Sequence, residues 1–196
     1  AYSIDIAKKV KYIDGIFVST EDKKIEKIAK QYGANVIIRP EELSKDDSNI
    51  LYAFKHLIQN IPSDDIKDSI IVIFWTTTPI RRIKDIENCI KMYDKNIDCV
   101  VSVMESKIRP SWLFVEKNKL LKFWKKGVPE PNRQQQKEKY FYINGSVVVT
   151  SAKFLMKQKT NFIGGKIKGY VMDEKHSMDI DTKFDFQLCK YFLESK

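Results

Sequence analysis

Residues 15–38, with the sequence GIFVSTEDKKIEKIAKQYGANVII, decide the fold class of this chain. Residues 15–20 are a short apolar run that ends in two hydroxyl side chains, a pattern that predicts a buried strand. Apolar side chains then recur at helical spacing over residues 22–32, and Gly33 suits the left-handed position just after a helix. A second apolar run, residues 36–38, predicts the next strand. Strand, helix and strand in this order are typical of a parallel-sheet α/β domain.

The same alternation continues to the end of the chain. Residues 70–75 form the strongest strand, a continuous apolar run that is expected at the centre of a parallel sheet. Further strands are predicted at 98–105, 140–149 and 169–172, and further helices at 3–11, 48–59, 85–92 and 182–192. We therefore expect a single domain over residues 1–196, with a three-layer α/β fold and a mixed, mostly parallel sheet.

Residues 106–139 interrupt this alternation. Two apolar segments, 112–115 and 120–124, flank a short polar stretch, which predicts a β-hairpin. A loop rich in proline, glutamine and lysine follows over 127–139. We interpret the interruption as a small β insertion that covers a site or meets a second subunit.

The composition is that of a globular protein rather than of a disordered one. Of the 196 residues, 43% are hydrophobic and 31% are charged. No apolar run approaches the ~20 residues of a membrane span, and we expect no signal peptide. Cys89, Cys99 and Cys189 are scattered in apolar surroundings, so we expect reduced core thiols in a cytoplasmic protein.

The net charge of +9 leaves the class of partner open. A basic protein attracts polynucleotides, but the lysines are spread over nearly every predicted helix instead of forming one basic face. The charge fits a small anionic substrate at least as well. We expect neither a nucleic acid nor a membrane as a partner.

Asp179 and Asp181 are the first candidates for chemistry. In an extended segment, side chains two residues apart share a face, so both carboxylates point to one side. Paired carboxylates at a strand end favour Mg²⁺, which commonly accompanies phosphates. The same spacing is also typical of a solvated loop with a capping carboxylate before a helix, here with Thr182 as the N-cap.

Two further segments with ligand-binding residue types follow predicted strands. Arg39 comes directly after the strand at 36–38, where ligands bind in open α/β sheets, although a surface arginine fits the same pattern. The apolar run 70–75 passes into TTTPIR, residues 76–81, which predicts either a ligand edge or a cap for the next helix.

Taken together, several segments resemble the acylneuraminate cytidylyltransferases, also called CMP-sialic acid synthetases. The matching segments are AYSI with Ala7, VSTED at 18–22, IA and YGA within 28–34, RPEEL with Asp46, TTPIR at 77–81, VVSV at 100–103, RQ at 133–134, ING at 143–145, and MDIDT with Asp185. They cover nearly the whole chain in the family's order. The resemblance implies a fold like that of nucleotide-diphospho-sugar transferases, and a homodimer joined through the hairpin insertion.

The resemblance also implies a reaction. CMP would pass from CTP to the anomeric hydroxyl of an acidic nine-carbon (nonulosonic) sugar, with release of pyrophosphate, in the service of cell-surface polysaccharide synthesis. Asp179 and Asp181 would be the catalytic pair and hold Mg²⁺, the expected cofactor. Arg39, Asp46 and Ser48 would bind the nucleotide, while Trp75, Thr77, Arg81, Arg133, Tyr142 and Asn144 would line the sugar side. An arginine there would fork onto the sugar carboxylate.

Three departures from the family pattern matter. The family opens with a strand and a Gly-, Arg- and Lys-rich loop that cradles the CTP phosphates, and the sequence begins after that point; we expect such a loop to be mobile without nucleotide. Trp75 stands where the family commonly has glutamine, and Thr76 where it has proline, which leaves the sugar open between sialic acid and its legionaminic and pseudaminic relatives. Arg133 lies one residue further from Asn144 than in the family pattern.

Other functions compatible with the same residues stay open at this point. A related nucleotidyltransferase, such as one that activates 3-deoxy-octulosonate or one that uses UTP or GTP, would share the fold. A decayed paralogue or a basic RNA-binding domain would be non-catalytic. Two carboxylates without a structural need argue against decay, and RNA binding would require a clustered basic face with stacking aromatics.

Overall fold

The computed structural model of the protein describes residues 1–62, 64–124 and 138–195. The helices are α1 (Tyr2–Ala7), α2 (Lys23–Gln31), α3 (Ile50–Asn60), α4 (Ile83–Met92), α5 (Ala152–Lys157) and α6 (Lys183–Glu194). The strands are β1 (Phe17–Thr20), β2 (Asn35–Ile38), β3 (Ile70–Ile73), β4 (Cys99–Glu105), β5 (Phe114–Lys117), β6 (Leu120–Phe123), β7 (Phe141–Ser151) and β8 (Ile167–Val171). The predicted order of helices and strands is confirmed except for α5, which was not predicted.

The main sheet has four strands in the order β3-β7-β4-β8. β7 is antiparallel to both of its neighbours, and β8 is parallel to β4. Three of the four strands therefore run in one direction, which agrees with the predicted mixed, mostly parallel sheet. The predicted place of the 70–75 strand was wrong, because β3 is the first strand in this order and lies antiparallel to β7. A continuous apolar run indicates that both faces of a strand are buried, but it does not predict the position of the strand within the sheet.

Two apolar clusters cover the two faces of this sheet and make three layers. Side chains alternate between faces along a strand, so Val101 and Val148 point to α3 and α5, where they meet Leu51 and Leu155. Their sequence neighbours point to the opposite face, where Val100, Val147 and Val149 pack against Ile86 and Cys89 of α4 and against Val10. The three cysteines are buried and form no disulfide, as expected for core thiols.

β1 and β2 form a separate parallel pair with α1 and α2. Its small core contains Ile4, Ala29 and Ala34. α2 ends as predicted, since Gly33 follows it with a φ of +75°. Its predicted apolar face is only partly buried: Ala29 is inside, whereas Ile25 and Ile28 remain about half exposed.

Two helix boundaries differ from the prediction. α1 ends at Ala7 instead of continuing to residue 11, because turns replace the helix there. Asn49 caps α3 by accepting a hydrogen bond from the Leu51 amide, where Ser48 had been expected to be the cap. A capping side chain must stand immediately before the first helical turn, so a shift of one residue changes its identity.

The hairpin predicted within residues 106–139 is confirmed. β5 and β6 pair antiparallel across a two-residue turn, in which Asn118 and Lys119 both have positive φ angles. Two positive φ angles are the signature of a type I′ turn, which matches the twist of a hairpin. Every residue of β5 and β6 is exposed. Most of the following loop lies outside the described residues. None of the helices in the described part of the chain is long and apolar enough to cross a membrane.

Candidate active site

The segment that carries Asp179 and Asp181 lies between β8 and α6, after a short 3-10 turn at Lys175–Ser177. It is tied to the loop after β3, because the Ile180 amide donates to the Thr77 carbonyl oxygen at 3.0 Å. Asp179 is half-buried and Asp181 is exposed. The structure therefore brings the predicted acidic pair beside the predicted TTPIR segment, although residues 77 and 180 are far apart in the sequence.

A cavity of about 440 Å³ opens beside the acidic pair. Asp179, Asp181 and Asp185 line one wall, and Tyr142 and Asn144 of β7 line another. Asp185 also caps α6: its carboxylate accepts hydrogen bonds from the Thr182 amide and hydroxyl. These hydrogen bonds lower the pKa of Asp185. The cavity is therefore anionic on one side and carries neutral polar and aromatic groups on the other.

One oxygen of Asp179 is chemically unusual. Its Oδ1 is buried and has no hydrogen-bond partner within the described residues. A buried carboxylate oxygen normally finds a donor or a cation, because losing its hydration is costly. In the described part of the chain, no three acidic, histidine or cysteine side chains are grouped to hold a metal by themselves. A cation at Asp179 and Asp181 would therefore take further oxygens from a ligand or water, which is how Mg²⁺ is commonly bound.

Arg81 lies beneath the cavity rather than on its wall. It is buried, and its guanidinium donates to the Ser3 hydroxyl, the Trp75 carbonyl oxygen and the Thr78 hydroxyl. Burial lowers the pKa of Arg81 to about 10, and the negative charge of Asp179 opposes this shift. The predicted fork onto a sugar carboxylate does not fit this position, because the protein itself already supplies the acceptors.

The other residues predicted on the sugar side have different environments. Tyr142 is exposed at the cavity, whereas Asn144 is buried and bonded to Ser102 and Ser177. The Trp75 ring packs against Phe162 with the ring centroids 5.7 Å apart, so much of the indole belongs to the core. Thr77 is half-buried, and its carbonyl oxygen accepts the hydrogen bond from the Ile180 amide. Arg133 lies outside the described residues.

Arg39 lies at the carboxyl end of β2 and is held by two side chains. Its Nη2 donates to Glu21 at 2.6 Å, and its Nε donates to the Ser44 hydroxyl at 2.9 Å. The Ser44 hydroxyl in turn donates to the same Glu21 oxygen at 2.9 Å. The three side chains form a closed triangle at the edge of the β1–β2 pair.

The remaining predicted nucleotide residues lie further along the same loop. Asp46 is exposed, and Ser48 is half-buried with its amide bonded to the Lys45 carbonyl oxygen. The hydrogen bonds of the described residues do not connect either side chain to Arg39. Sequence reasoning gave no role to Glu21 or Ser44, although both stand within or beside the matched VSTED and RPEEL segments.

A chain of charged and polar side chains connects α4 to the turn before Asp179. Arg82 forms ion pairs with Asp85 and with Asp173. Asp173 also accepts from His176, three residues before Asp179, at 2.6 Å. Asp85 is fully buried and accepts a hydrogen bond from the Tyr170 hydroxyl of β8. These contacts fix the turn that delivers the acidic pair.

Comparison with known proteins decides the family. A family model described as Cytidylyltransferase matches residues 1–192. The chain belongs to this family. The resemblance found in the sequence motifs is thus confirmed.

Two relatives of this cytidylyltransferase-family chain have informative names. It is 29% identical over 200 residues to the N-acylneuraminate cytidylyltransferase of Escherichia coli O18:K1:H7, covering 100% of this chain and 46% of that protein. It is 27% identical over 204 residues to the CMP-N,N'-diacetyllegionaminic acid synthase of Legionella pneumophila, covering 99% of this chain and 84% of that protein. The chain thus spans about half the length of the first relative and most of the second.

A solved structure has the same fold. The structure of CMP:2-keto-3-deoxy-manno-octonic acid synthetase complexed with CTP superposes with a TM-score of 0.70 at 13% sequence identity. The match covers 99% of this cytidylyltransferase-family chain and 86% of that one. The predicted fold class, that of the nucleotide-sugar transferases, is confirmed.

Proposed function

We propose that the protein transfers CMP from CTP to the anomeric hydroxyl of an acidic nine-carbon sugar and releases pyrophosphate. Membership of the cytidylyltransferase family supports CTP as the nucleotide substrate. The two relatives, named for N-acylneuraminate and for N,N'-diacetyllegionaminic acid, support the sugar class. The eight-carbon sugar acid named for the enzyme of the solved structure is the weaker alternative. A likeness at 13% sequence identity supports a shared fold but not a shared substrate.

The observation that carries the proposal is the unpaired, buried Oδ1 of Asp179 next to the exposed carboxylate of Asp181. Asp179 and Asp181 would hold Mg²⁺, and that ion would supply positive charge to the phosphate oxygens. The site fits such an ion, since hard oxygen ligands are what it prefers. A carboxylate pair without a cation would instead repel the triphosphate.

The residues of the chain would act mainly by positioning. The sugar hydroxyl attacks the α-phosphorus of CTP, a new P–O bond forms, and the bond to the β-phosphate breaks to release pyrophosphate. Such in-line displacements depend on alignment and on neutralised charge more than on covalent catalysis. The Ile180–Thr77 hydrogen bond holds the acidic segment against the loop after β3, and the positive charge of the buried Arg81 attracts Asp179. Tyr142, at the cavity wall, would contact the sugar.

Arg39 would recognise the cytosine. Glu21 and Ser44 occupy its Nε and one side of Nη2, so the rest of the guanidinium points in a fixed direction. A planar donor in a fixed orientation suits the acceptor edge of a pyrimidine. Asp46 and Ser48, in the loop that follows, stay predictions for the same nucleotide.

We also propose a homodimer joined through the β5–β6 hairpin. Apolar side chains are exposed along the hairpin and again at the start of β7, which reaches the cavity: Trp112, Leu113, Phe114, Val115, Leu120, Leu121, Phe123, Trp124, Phe141, Tyr142 and Ile143. An exposed apolar surface made of so many large side chains marks an interaction site. Because Tyr142 belongs to both the surface and the cavity, a partner seated there would border the site. A cytoplasmic location, where CTP is available, stays a prediction.

Pyrophosphate release by the full-length protein is the decisive test. The assay would contain Mg²⁺, one of CTP, UTP, ATP or GTP, and one acidic sugar from a panel of sialic, legionaminic, pseudaminic and 3-deoxy-octulosonic acids. We expect release with CTP only, and with one nine-carbon sugar above the rest. Equal pyrophosphate release with the eight-carbon acid would favour that alternative substrate. No release with any sugar of the panel would refute the proposed enzymatic activity.

Asp181→Asn tests the acidic pair within the same assay. We expect the loss of Mg²⁺-dependent turnover by at least about a hundredfold, because the substitution removes one ligand charge of the metal. The melting temperature should change little, because Asp181 is exposed. Asp14→Asn, which removes an exposed carboxylate in the loop before β1, is the matched control. A variant that keeps full turnover would exclude Asp181 from the site.

A further inference from the structure

A large irregularity separates two parts of the β4–β7 ladder. Val101 pairs with Val148 and Val103 pairs with Ile143, so Ser102 alone stands opposite residues 144–147 of β7. We name these four residues the β7 bulge. Extra residues in one strand leave the ladder, and such bulges commonly redirect side chains near functional sites. The β7 bulge therefore leaves the plane of the sheet at the point where β7 reaches the cavity.

Ser102 holds both ends of the β7 bulge. Its hydroxyl accepts a hydrogen bond from the Val147 amide at 2.8 Å and donates to the Asn144 side-chain oxygen at 2.6 Å. Ser102 is completely buried and Asn144 nearly so. The Ser146 amide also donates to the Asn144 side-chain oxygen, at 3.2 Å. Among the hydrogen bonds of the described residues, however, only those of the Ser102 hydroxyl join Asn144 to Val147. In a buried site, no water replaces a lost partner, so removing this hydroxyl would loosen the bulge.

The β7 bulge is connected to the acidic segment at two places. The Asn144 side-chain amide donates to the buried Ser177 hydroxyl at 2.8 Å, two residues before Asp179. Gly145 has a φ of +67°, and a β-carbon placed on it would lie 3.4 Å from Asp179 Oδ2. The bulge thus supports the Asp179 carboxylate from behind and anchors the turn that leads to it.

We propose that Ser102 is a positioning residue for the Asp179 carboxylate, acting through Asn144, Ser177 and the β7 bulge. This inference rests on the proposed function, because it assigns Ser102 to the carboxylate that would bind the metal. Ser102 does not line the cavity, so its effect would pass entirely through the hydrogen bonds that fix the bulge.

Ser102→Ala in the full-length protein tests the inference, with Mn²⁺ as the probe. Removing a side chain that orients a metal ligand commonly weakens metal binding about tenfold or more. Since Ser102 acts through two intermediates, we expect an increase in the Mn²⁺ dissociation constant of about threefold to tenfold. Electron paramagnetic resonance of free Mn²⁺ measures it without turnover. The Mg²⁺ concentration for half-maximal pyrophosphate release should rise in parallel, while the KM for CTP at saturating Mg²⁺ stays within about twofold.

Thr150→Val is the matched control. Thr150 is another fully buried hydroxyl on the same strand pair, and it donates to the Asp98 carbonyl oxygen at 2.8 Å, away from the bulge. It should lower the melting temperature as Ser102→Ala does, but leave Mn²⁺ binding unchanged. If Ser102→Ala does not fold, Ser177→Ala removes the other end of the relay and carries the same expectation.

The outcomes separate the two proposals. Mn²⁺ binding that is equal in Ser102→Ala and wild type, or equally weakened in Thr150→Val, would overturn the positioning role while the proposed function stands. A wild-type protein that binds no Mn²⁺ would overturn the metal site, and this inference with it. Weakened binding in Ser102→Ala alone supports the role.

Discussion

Arg39 shows how charge is organised at the scale of single residues. The hydrogen bond from Arg39, followed by one from the Glu21 backbone amide and one from Ser44, lowers the pKa of Glu21 below its ordinary value of 4.5. A carboxyl group whose pKa is lowered by folding stabilises the protein above its unfolded pKa. That contribution is lost as the pH falls below 4.5 and through the lowered value.

Glu21→Gln should therefore weaken nucleotide binding more than it destabilises the fold. Without the carboxylate, Arg39 is less fixed, and we expect the KM for CTP to rise about fivefold, on the order of 1 kcal/mol of binding. The free energy of unfolding at pH 7 should fall by less than about 1 kcal/mol, because the ion pair is partly exposed. Steady-state kinetics and urea titrations at pH 7 and pH 3 measure both quantities. An unchanged KM would remove Arg39 from the nucleotide site.

From sequence alone, the candidate site residues that could be predicted are those whose signal is local. Asp179 and Asp181 stand two residues apart, and Arg39 directly follows a strand, so periodicity and position were enough to propose them. Ser102 and Ser177 were missed because the side chain that joins them, Asn144, is 42 residues from one and 33 from the other. Burial of Arg81 was equally invisible, since its acceptors come from three separate parts of the chain.

At the scale of the elements, the stability of α2 depends on its N-cap residue, Asp22. The Asp22 carboxylate accepts from the Lys24 amide at 2.6 Å and from the Ile25 amide at 3.0 Å. These are two of the unpaired amides at the start of a helix, and the negative charge also suits the helix dipole.

Asp22→Ala should lower the free energy of unfolding by about 1 kcal/mol, as is common for the loss of a capping side chain. Chemical denaturation followed by circular dichroism measures the change. Asp14→Ala, which removes an exposed acid outside any helix, is the control and should have little effect. If both variants have the same stability, Asp22 does not cap α2 in solution.

The elements themselves were predictable, but their arrangement was only partly so. Helical spacing and apolar runs located five of the six helices and all eight strands of the described residues, while the short α5 was missed, and Gly33 marked the end of α2. The reversed direction of β7, the outer place of β3 and the β7 bulge depend on contacts between distant segments. Local pattern carries no information about such pairings.

For the whole molecule, the exposed hairpin predicts association. Leu121, which is 66% exposed, lies on β6 within the apolar surface. Leu121→Lys should convert a dimer into a monomer, because a buried charge without a partner is costly at an interface. Light scattering after size-exclusion chromatography measures the mass. Ile167→Lys, at an exposed position on β8, is the control and should leave the dimer intact. If the wild-type protein has the mass of a monomer, the proposed dimer is refuted.

The β1–β2 pair and the four-stranded sheet each have a core of their own, and this has a consequence for backbone amide exchange. A small cluster around Ile4, Ala29 and Ala34 protects less backbone than the two clusters that enclose β4 and β7. Units of unequal stability open separately, so deuterium should enter β1 and β2 well before the central strands. A nucleotide that spans Arg39 and Asp179 would connect the two units, and the exchange of β1 and β2 would then slow towards that of the sheet.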